Sequence, residues 1–401
     1  MSKSRKGLSG TFVLNKAEPI HRWFSYMEGY SSILVEKEIE QVGCENIKKL
    51  YDPFGGSGTS LLVASEHGIK PYYSETNPVM SFICKTKING VKQAKENPEI
   101  VHELRRIYER VEALVFTYEE EKKFDGFEKF FENGRLCEIL QIIDAIQQSN
   151  NPVARDIAMV AVAGITTQIS KMVRQGDLRY AKGKEKEKVN QNVKEVFLSK
   201  LSNVIDDIEN PEVNIIHEVE LANEDSRSIE LENEIDCVVT SPPYLNGTNY
   251  IRNTKLELKL LGFVKDESEL PVMHSKGIIA GINSVSSRNG DIEVLDCVKP
   301  YLDKLEPVAY DKRIPLMVAG YFKDMKAVFE KLRIALKPGG TFIMDIGDSQ
   351  FSGIHIPTHE ILETIAVQFG FEKYDEEILR VRRSKNGMEL SQRVLRFKIR
   401  K

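Results

Sequence analysis

The sequence predicts an α/β fold built around a parallel sheet, and three observations carry that expectation. Residues 46–78 read as strand, glycine-rich turn, helix and second strand, the start of a βαβ unit. Strand and helix textures alternate again after residue 210. Two closing strands meet around Asn386-Gly387, a hairpin-type turn.

The chain has 401 residues, of which 41% are hydrophobic and 29% charged. That length suits one large α/β domain with an insertion or two smaller domains. No apolar run reaches about 18 residues, so no membrane span is expected. The basic start, MSKSRKGLSGTF, lacks the apolar stretch of a signal peptide. Cys44, Cys84, Cys137, Cys237 and Cys297 are scattered, with no CxxC spacing. They point to reduced thiols in a cytoplasmic protein and away from a zinc site. The net charge of −4 announces no nucleic-acid partner, so such a partner requires a local basic face.

The elements follow in order. LLVASEHG is a short helix ending at Gly68, and KPYYSETNP is a strand that turns at Asn77-Pro78. From Glu96 to Asn210 the apolar spacing turns helical, as in HELRRIYERVEALV and ARDIAMVAVAGITTQISKMV, and strand signals are weak. The charged stretch AKGKEKEKVNQNVKEVF links helices there. Such a segment is too long for a simple crossover and is expected to form a subdomain. Strands resume at EVNIIHEVELANEDS and IDCVVT, followed by a helix, NTKLELKLLGF, and an irregular segment to Pro315. GYFKDMKAVFEKLRIAL is a long amphipathic helix stopped by LKPGG; TFIMDIGDS is a strand and THEILETIAVQFG a helix.

DPFGGSGTS, Asp52 to Ser60, lets the backbone turn sharply and lets a ligand approach the next helix. No lysine follows, which removes the P-loop reading, and strict GxGxxG is absent. Asp52 favours an amine-bearing or cationic ligand over a pyrophosphate. Glu75 ends the second strand, where an acid can accept both hydroxyls of a ribose. Asp225 reads either as a third ligand, for an adenine amino group, or as a helix N-cap.

IDCVVTSPPY, Ile235 to Tyr244, ends a buried strand in two prolines and an aromatic ring. Both Ser241 and Pro242 precede a proline, so the backbone is stiff and non-helical. Such a turn supplies acceptors without competing donors, which suits an NH2 group, and Tyr244 offers a flat stacking face. The alternative is an edge turn with structural prolines.

DPFGGSGT followed by TSPPY resembles the amino-methyltransferases of DNA. These use S-adenosylmethionine to methylate N4 of cytosine or N6 of adenine. HRWFSYMEGYSSILV, LKPGGTFIMDIGDS and the closing LRVRRS…VLRF stretch extend the likeness over most of the chain. The resemblance implies a class I S-adenosylmethionine-dependent methyltransferase fold, Rossmann-like and doubly wound. Its seven-strand sheet closes in an antiparallel C-terminal hairpin, here with a helical insertion. It implies that Asp52, Phe54, Gly56 and Gly58 line the methionine side, Glu75 the ribose and Asp225 the adenine. Trp23, Tyr26 and Ser31 contribute from the N-terminal motif. Ser241, Pro242, Pro243 and Tyr244 are the implied catalytic residues, and SPPY in place of DPPY resembles the cytosine-N4 members. Residues 1–95, 211–264 and 316–401 then form the catalytic domain. Residues 96–210 and 265–315 are the two segments expected to recognise the target.

The implied substrate is duplex DNA with a flipped base. Arg174, Arg179, Asn246 and Arg252 are the expected DNA contacts. A separately encoded restriction endonuclease is a partner such an enzyme implies. No metal is expected, since Pro357 separates His355 from His359 and no third ligand is near. The competing readings are adenine-N6 methylation, methylation of RNA or a small molecule, and an inactive DNA-binding module on the same fold.

Overall fold

The computed structural model describes residues 9–26, 29–245, 248–285, 292–384 and 386–400. Eleven strands are assigned there: β1 (Lys49–Asp52), β2 (Lys70–Ser74), β3 (Met172–Gln175), β4 (Asp177–Tyr180), β5 (Glu220–Asn223), β6 (Ile235–Thr240), β7 (Leu336–Gly347), β8 (Ser349–Phe351), β9 (Ile354–Ile356), β10 (Phe371–Arg383) and β11 (Glu389–Ile399). Seven of them form the main sheet in the order β10-β11-β7-β6-β1-β2-β5. Strands β5, β2, β1, β6 and β7 run parallel, and β11 lies antiparallel between β7 and β10. This is the doubly wound class I methyltransferase sheet that the resemblance implied.

Nine helices matter for the site and its supports: α1 (Ser32–Val42), α2 (Thr59–Glu66), α3 (Pro78–Lys85), α4 (Pro98–Glu112), α5 (Asn133–Gln147), α6 (Pro152–Ile169), α7 (Val193–Glu209), α8 (Arg313–Ala335) and α9 (Thr358–Gln368). Three of them start on Asn-Pro. Asn77, Asn97 and Asn151 each accept a backbone N–H of the first turn, and the following proline has no donor to leave unpaired.

Alternation along the strands separates two apolar layers. Leu50, Tyr73, Cys237, Val239 and Ile343 face α1 to α7. Tyr51, Tyr72, Val238, Phe342 and Met344 face α8 and α9. Because side chains alternate sides every residue, one short strand such as β1 feeds both layers. The buried apolar residues of α4 to α7 belong to the same cluster as Leu50 and Leu61, so the 96–210 stretch extends the core on one side of the sheet.

Three local expectations give way. The 96–210 stretch carries an antiparallel hairpin, β3–β4, turning at Gly176 with φ +72°. LKPGG stops the long helix at Ala335 as expected, but the strand that follows starts at Leu336, paired with Ile235, rather than at Thr341. The helix expected over NTKLELKLLGF is confined to Lys255–Leu260, with Thr254 separating it from a preceding turn of helix, Tyr250–Asn253.

Candidate active site

The carboxyl ends of β1, β2, β5 and β6 open into one cleft of about 1110 Å³, its mouth included. Crevices at the strand ends of open α/β sheets are where ligands bind, because successive loops diverge there. Tyr26, Asp52, Phe54, Gly56, Glu75, Asp225, Ser241 and Pro243 all line it. The glycine turn, the β2 acid and the SPPY stretch are therefore walls of the same cavity.

Asp52 is 2% exposed and takes four hydrogen bonds. Its Oδ1 accepts from the Phe54 N–H at 2.9 Å and from Thr240 Oγ1 at 2.7 Å. Its Oδ2 accepts from Tyr30 Oη at 3.2 Å and from Ser60 Oγ. Burial raises its pKa, and the hydroxyls of Ser60 and Thr240 work against that rise. The side chain ties the end of β1 to α2, to the N-terminal segment and to Thr240, next to Ser241. Its first task is to fix the SPPY loop against the glycine turn.

Two glycines of that turn sit in left-handed backbone. Gly56 has φ +50°, and a Cβ there lies 3.2 Å from the Tyr26 ring. Gly58 has φ +80°, and its Cβ falls 2.8 Å from Cys84 Sγ. Gly58 does not line the cleft; it is needed for the close approach of α2 to α3. Beneath the turn, the fully buried Lys87 donates to the Ser57 carbonyl at 2.8 Å, and burial lowers its pKa to about 8. Lys87 lies in a single π-type turn, Thr86–Gly90, and nothing in the residue spacing marked it.

Glu75 Oε2 accepts from the Gly56 N–H at 2.9 Å, and Oε1 from the Asn77 N–H at 2.8 Å. Burial pushes its carboxyl up to about 7; the two N–H donors oppose this, and Asp52 adds to it. Asp225 N-caps Ser226–Ser228, is held by the Arg227 guanidinium and lines the cleft. Arg227 also reaches Asp324 on α8 at 2.9 Å and the Lys276 carbonyl at 2.8 Å.

Tyr244 lies apart from this lining, beside the end of β7. Its hydroxyl donates to Asp345 Oδ2 at 2.9 Å and accepts from Gln392 Nε2 at 2.8 Å. Its backbone N–H donates to Tyr250 Oη at 3.2 Å. Pro242 is buried and likewise outside the lining.

Several expected contacts are corrected by their surroundings. Trp23 is fully buried, and its Nε1 donates to Asp207 Oδ2 at 2.9 Å, which makes it a core residue outside the cleft lining. Ser31 caps α1 and donates to the Ser9 carbonyl at 2.9 Å. Arg174 is spent on a buried pair with Glu257 at 2.7 Å and on the Asn253 carbonyl, and so offers no guanidinium to phosphate. Arg179 pairs with Glu185 through both terminal nitrogens. Arg252 stays half exposed, 3.5 Å from Asp177. Asn246 lies outside the described residues. His355 and His359 both face Asp348, and among the described residues no group of three or more metal-ligating side chains occurs. No helix among the described residues is long and apolar enough to cross a membrane.

The spacing arguments missed Tyr30, Thr59, Asn77, Tyr250, His274 and Ile278, which also line the cleft. Asn77 carried a signal, as an Asn-Pro after the β2 acid; the others come together only in the fold.

No family model matches the chain. It is 26% identical over 412 residues to the Type II methyltransferase M.AvaI of Nostoc sp. (strain PCC 7120), covering 92% of this chain and 82% of that one. The Type II methyltransferase M.BsoBI of Geobacillus stearothermophilus is 25% identical over 439 residues, covering 95% and 84%. M.MvaI of Kocuria varians, also a Type II methyltransferase, is 25% identical over 397 residues, covering 91% and 84%. Solved structures resemble the chain loosely. The rRNA methyltransferase AviRa of Streptomyces viridochromogenes aligns at 8% identity with a TM-score of 0.32, covering 96% and 92%, so the fold rests on the strand order itself. The cleft suits a nucleoside cofactor in its donor set: a glycine turn at a helix start, a carboxyl at the end of the second strand and another beyond the next strand. Sheet order and relatives together make the chain similar to S-adenosyl-L-methionine-dependent methyltransferases, with S-adenosyl-L-methionine as the cofactor they indicate.

Proposed function

We propose that the chain methylates the exocyclic N4 of cytosine in duplex DNA, as the modification enzyme of a restriction–modification system. One observation carries the reading: Ser241 and Pro243 line the same cleft as Glu75, Asp225 and the glycine turn. An amino-group acceptor thus stands beside the place for the cofactor. The likeness to Type II methyltransferases supports DNA as the substrate and a separately encoded restriction endonuclease as partner.

Glu75 and Asp225 would hold the ribose and adenine, and the turn from Asp52 to Gly56 the methionine portion. Bound S-adenosyl-L-methionine supplies a methyl group on a positively charged sulfur. The chain's own residues do the rest. Ser241 Oγ and the Pro242 carbonyl accept the hydrogens of the target amine, drawing nitrogen toward sp3 geometry and freeing its lone pair for in-line attack. Their fixed backbone means that little reorganisation is required. Tyr244 lies just outside the cleft wall; a flipped base that reached its ring would stack on it and offset part of the unstacking cost, on the order of 1–3 kcal/mol.

Transfer of labelled methyl to duplex DNA, RNA and free nucleosides tests the substrate class. Duplex DNA is expected to accept at least tenfold more than either alternative; RNA as the better acceptor would overturn the proposal. An inactive DNA-binding module would show no transfer and no cofactor binding by calorimetry. Adenine-N6 methylation is decided by the nature of the methylated nucleoside.

A further inference from the structure

The cleft is lined by more negative than positive charge. Asp52, Glu75, Glu224 and Asp225 face it, and the lysine in its wall, Lys276, lies 3.6 Å from Glu224. S-adenosyl-L-methionine carries a carboxylate at its methionine end, beside the amine and the positive sulfur. In so acidic a cleft that carboxylate needs donors and an opposing charge of its own.

We propose that Ser57 and Lys87 form the subsite for this carboxylate. The serine hydroxyl donates to it, and the buried ammonium supplies the opposing charge from behind the turn. The inference rests on the reading that the glycine turn holds the methionine portion of the cofactor.

Three observations meet at Ser57. The residue lines the cleft and is 2% exposed, yet its Oγ has no hydrogen-bond partner. A buried hydroxyl left unpaired is costly, so its place in a cleft wall points to a ligand atom. Next, α2 begins at Thr59, directly after Gly58, which has no side chain to cap the first turn. The start of a helix favours negative charge, and here it opens beside the unpaired hydroxyl.

The third observation is Lys87. It is fully buried, and its Nζ donates to the Ser57 carbonyl at 2.8 Å. The groups that act on it are Cys84 from α3 and His21 from the N-terminal segment; no carboxylate is among them. Burial lowers the ammonium to about 8, so it is charged at neutral pH. A buried ammonium bonded to a neutral carbonyl is a poor source of stability. A carboxylate on the cleft side of the same residue gives it the counter-charge that the fold withholds. Lys87 does not line the cleft itself and acts through the turn, as a positioning residue.

Titration calorimetry at neutral pH tests the subsite with two compounds, S-adenosylhomocysteine and its carboxamide, which matches it in shape but lacks the negative charge. The wild-type protein is expected to bind the acid about tenfold more tightly than the amide. Lys87→Met, with folding checked by thermal melting, is expected to weaken the acid about tenfold and the amide by less than about twofold. Ser57→Ala is expected to weaken the acid about fivefold and to leave the amide within about twofold. Equal losses for the two compounds in Lys87→Met would mean that the lysine only braces the turn, and overturn the inference. No loss for either would overturn it as well. Should Lys87→Met fail to fold, Ser57→Ala decides alone by the same comparison. Equal binding of both compounds by the wild-type protein overturns the subsite and leaves the cofactor reading standing. Binding of neither overturns the cofactor reading, and the subsite with it.

Discussion

Cofactor affinity should depend on pH through Glu75. Its carboxyl is the ribose acceptor in this account, and burial holds it near 7 in the free protein. The sign follows directly. A carboxyl raised to about 7 is ionised only above that pH, so acceptor strength is present at pH 8 and lost as pH falls through 7. With an inflection near 7, the ionised fraction falls from about ten in eleven at pH 8 to about one in eleven at pH 6. The dissociation constant of S-adenosylhomocysteine should rise about tenfold over that interval, about 1.4 kcal/mol. Below pH 7 binding should release close to one proton, seen as a buffer-dependent heat in titration calorimetry. Glu75→Gln removes the slope. It also leaves one of the N–H groups of Gly56 and Asn77 without its charged acceptor, a further cost of about 1–3 kcal/mol at the turn. An affinity flat from pH 8 to pH 6 in the wild-type protein, or wild-type affinity in Glu75→Gln, would refute the assignment.

Arg174→Ala leaves Glu257 buried without its partner and should cost about 3–5 kcal/mol of stability, read as a fall in Tm. Arg252→Ala, at a half-exposed site on the same side of the molecule, should leave Tm unchanged and raise KM for duplex DNA several-fold, more so at low salt. An unchanged KM would remove Arg252 from the DNA face. Gly58→Ala forces a side chain into left-handed backbone and into Cys84; a loss of about 1–3 kcal/mol in denaturant unfolding is expected, and none would mean the turn relaxes freely. Tyr244→Ala should cripple turnover while cofactor affinity stays within about twofold, on the stacking estimate of about 1–3 kcal/mol. Wild-type turnover on duplex DNA would rule out stacking.

The central strands β1, β2 and β6 were legible because they are short, buried runs closed by turn residues, and because glycines mark where β1 hands over to α2. Glu75 and Ser241 were legible for the same reason: each stands at a strand end, and strand ends share one edge of a parallel sheet. The hairpin β3–β4 was not, since MVRQGDLRY has no alternation strong enough to stand out from flanking helices. Trp23 and Arg174 were misplaced because residue type alone does not distinguish a ligand contact from a buried partnership. Asp207 and Glu257, which claim them, lie 184 and 83 residues away in sequence. Asp345 and Gln392 were invisible for a related reason. Each sits in a strand whose pattern reads as sheet interior, and only the antiparallel pairing of β11 with β7 brings the two beside Tyr244.

The central claim is that Ser241 and the Pro242 carbonyl present the N4 amine of a flipped cytosine to the cofactor. Mass spectrometry of nucleosides released from duplex DNA, after incubation with the purified protein and S-adenosyl-L-methionine, tests it most directly. The account predicts N4-methylcytosine as the product, with its formation lost in Ser241→Ala. N6-methyladenine as the sole product, or N4-methylcytosine formed at the wild-type rate by Ser241→Ala, would contradict it.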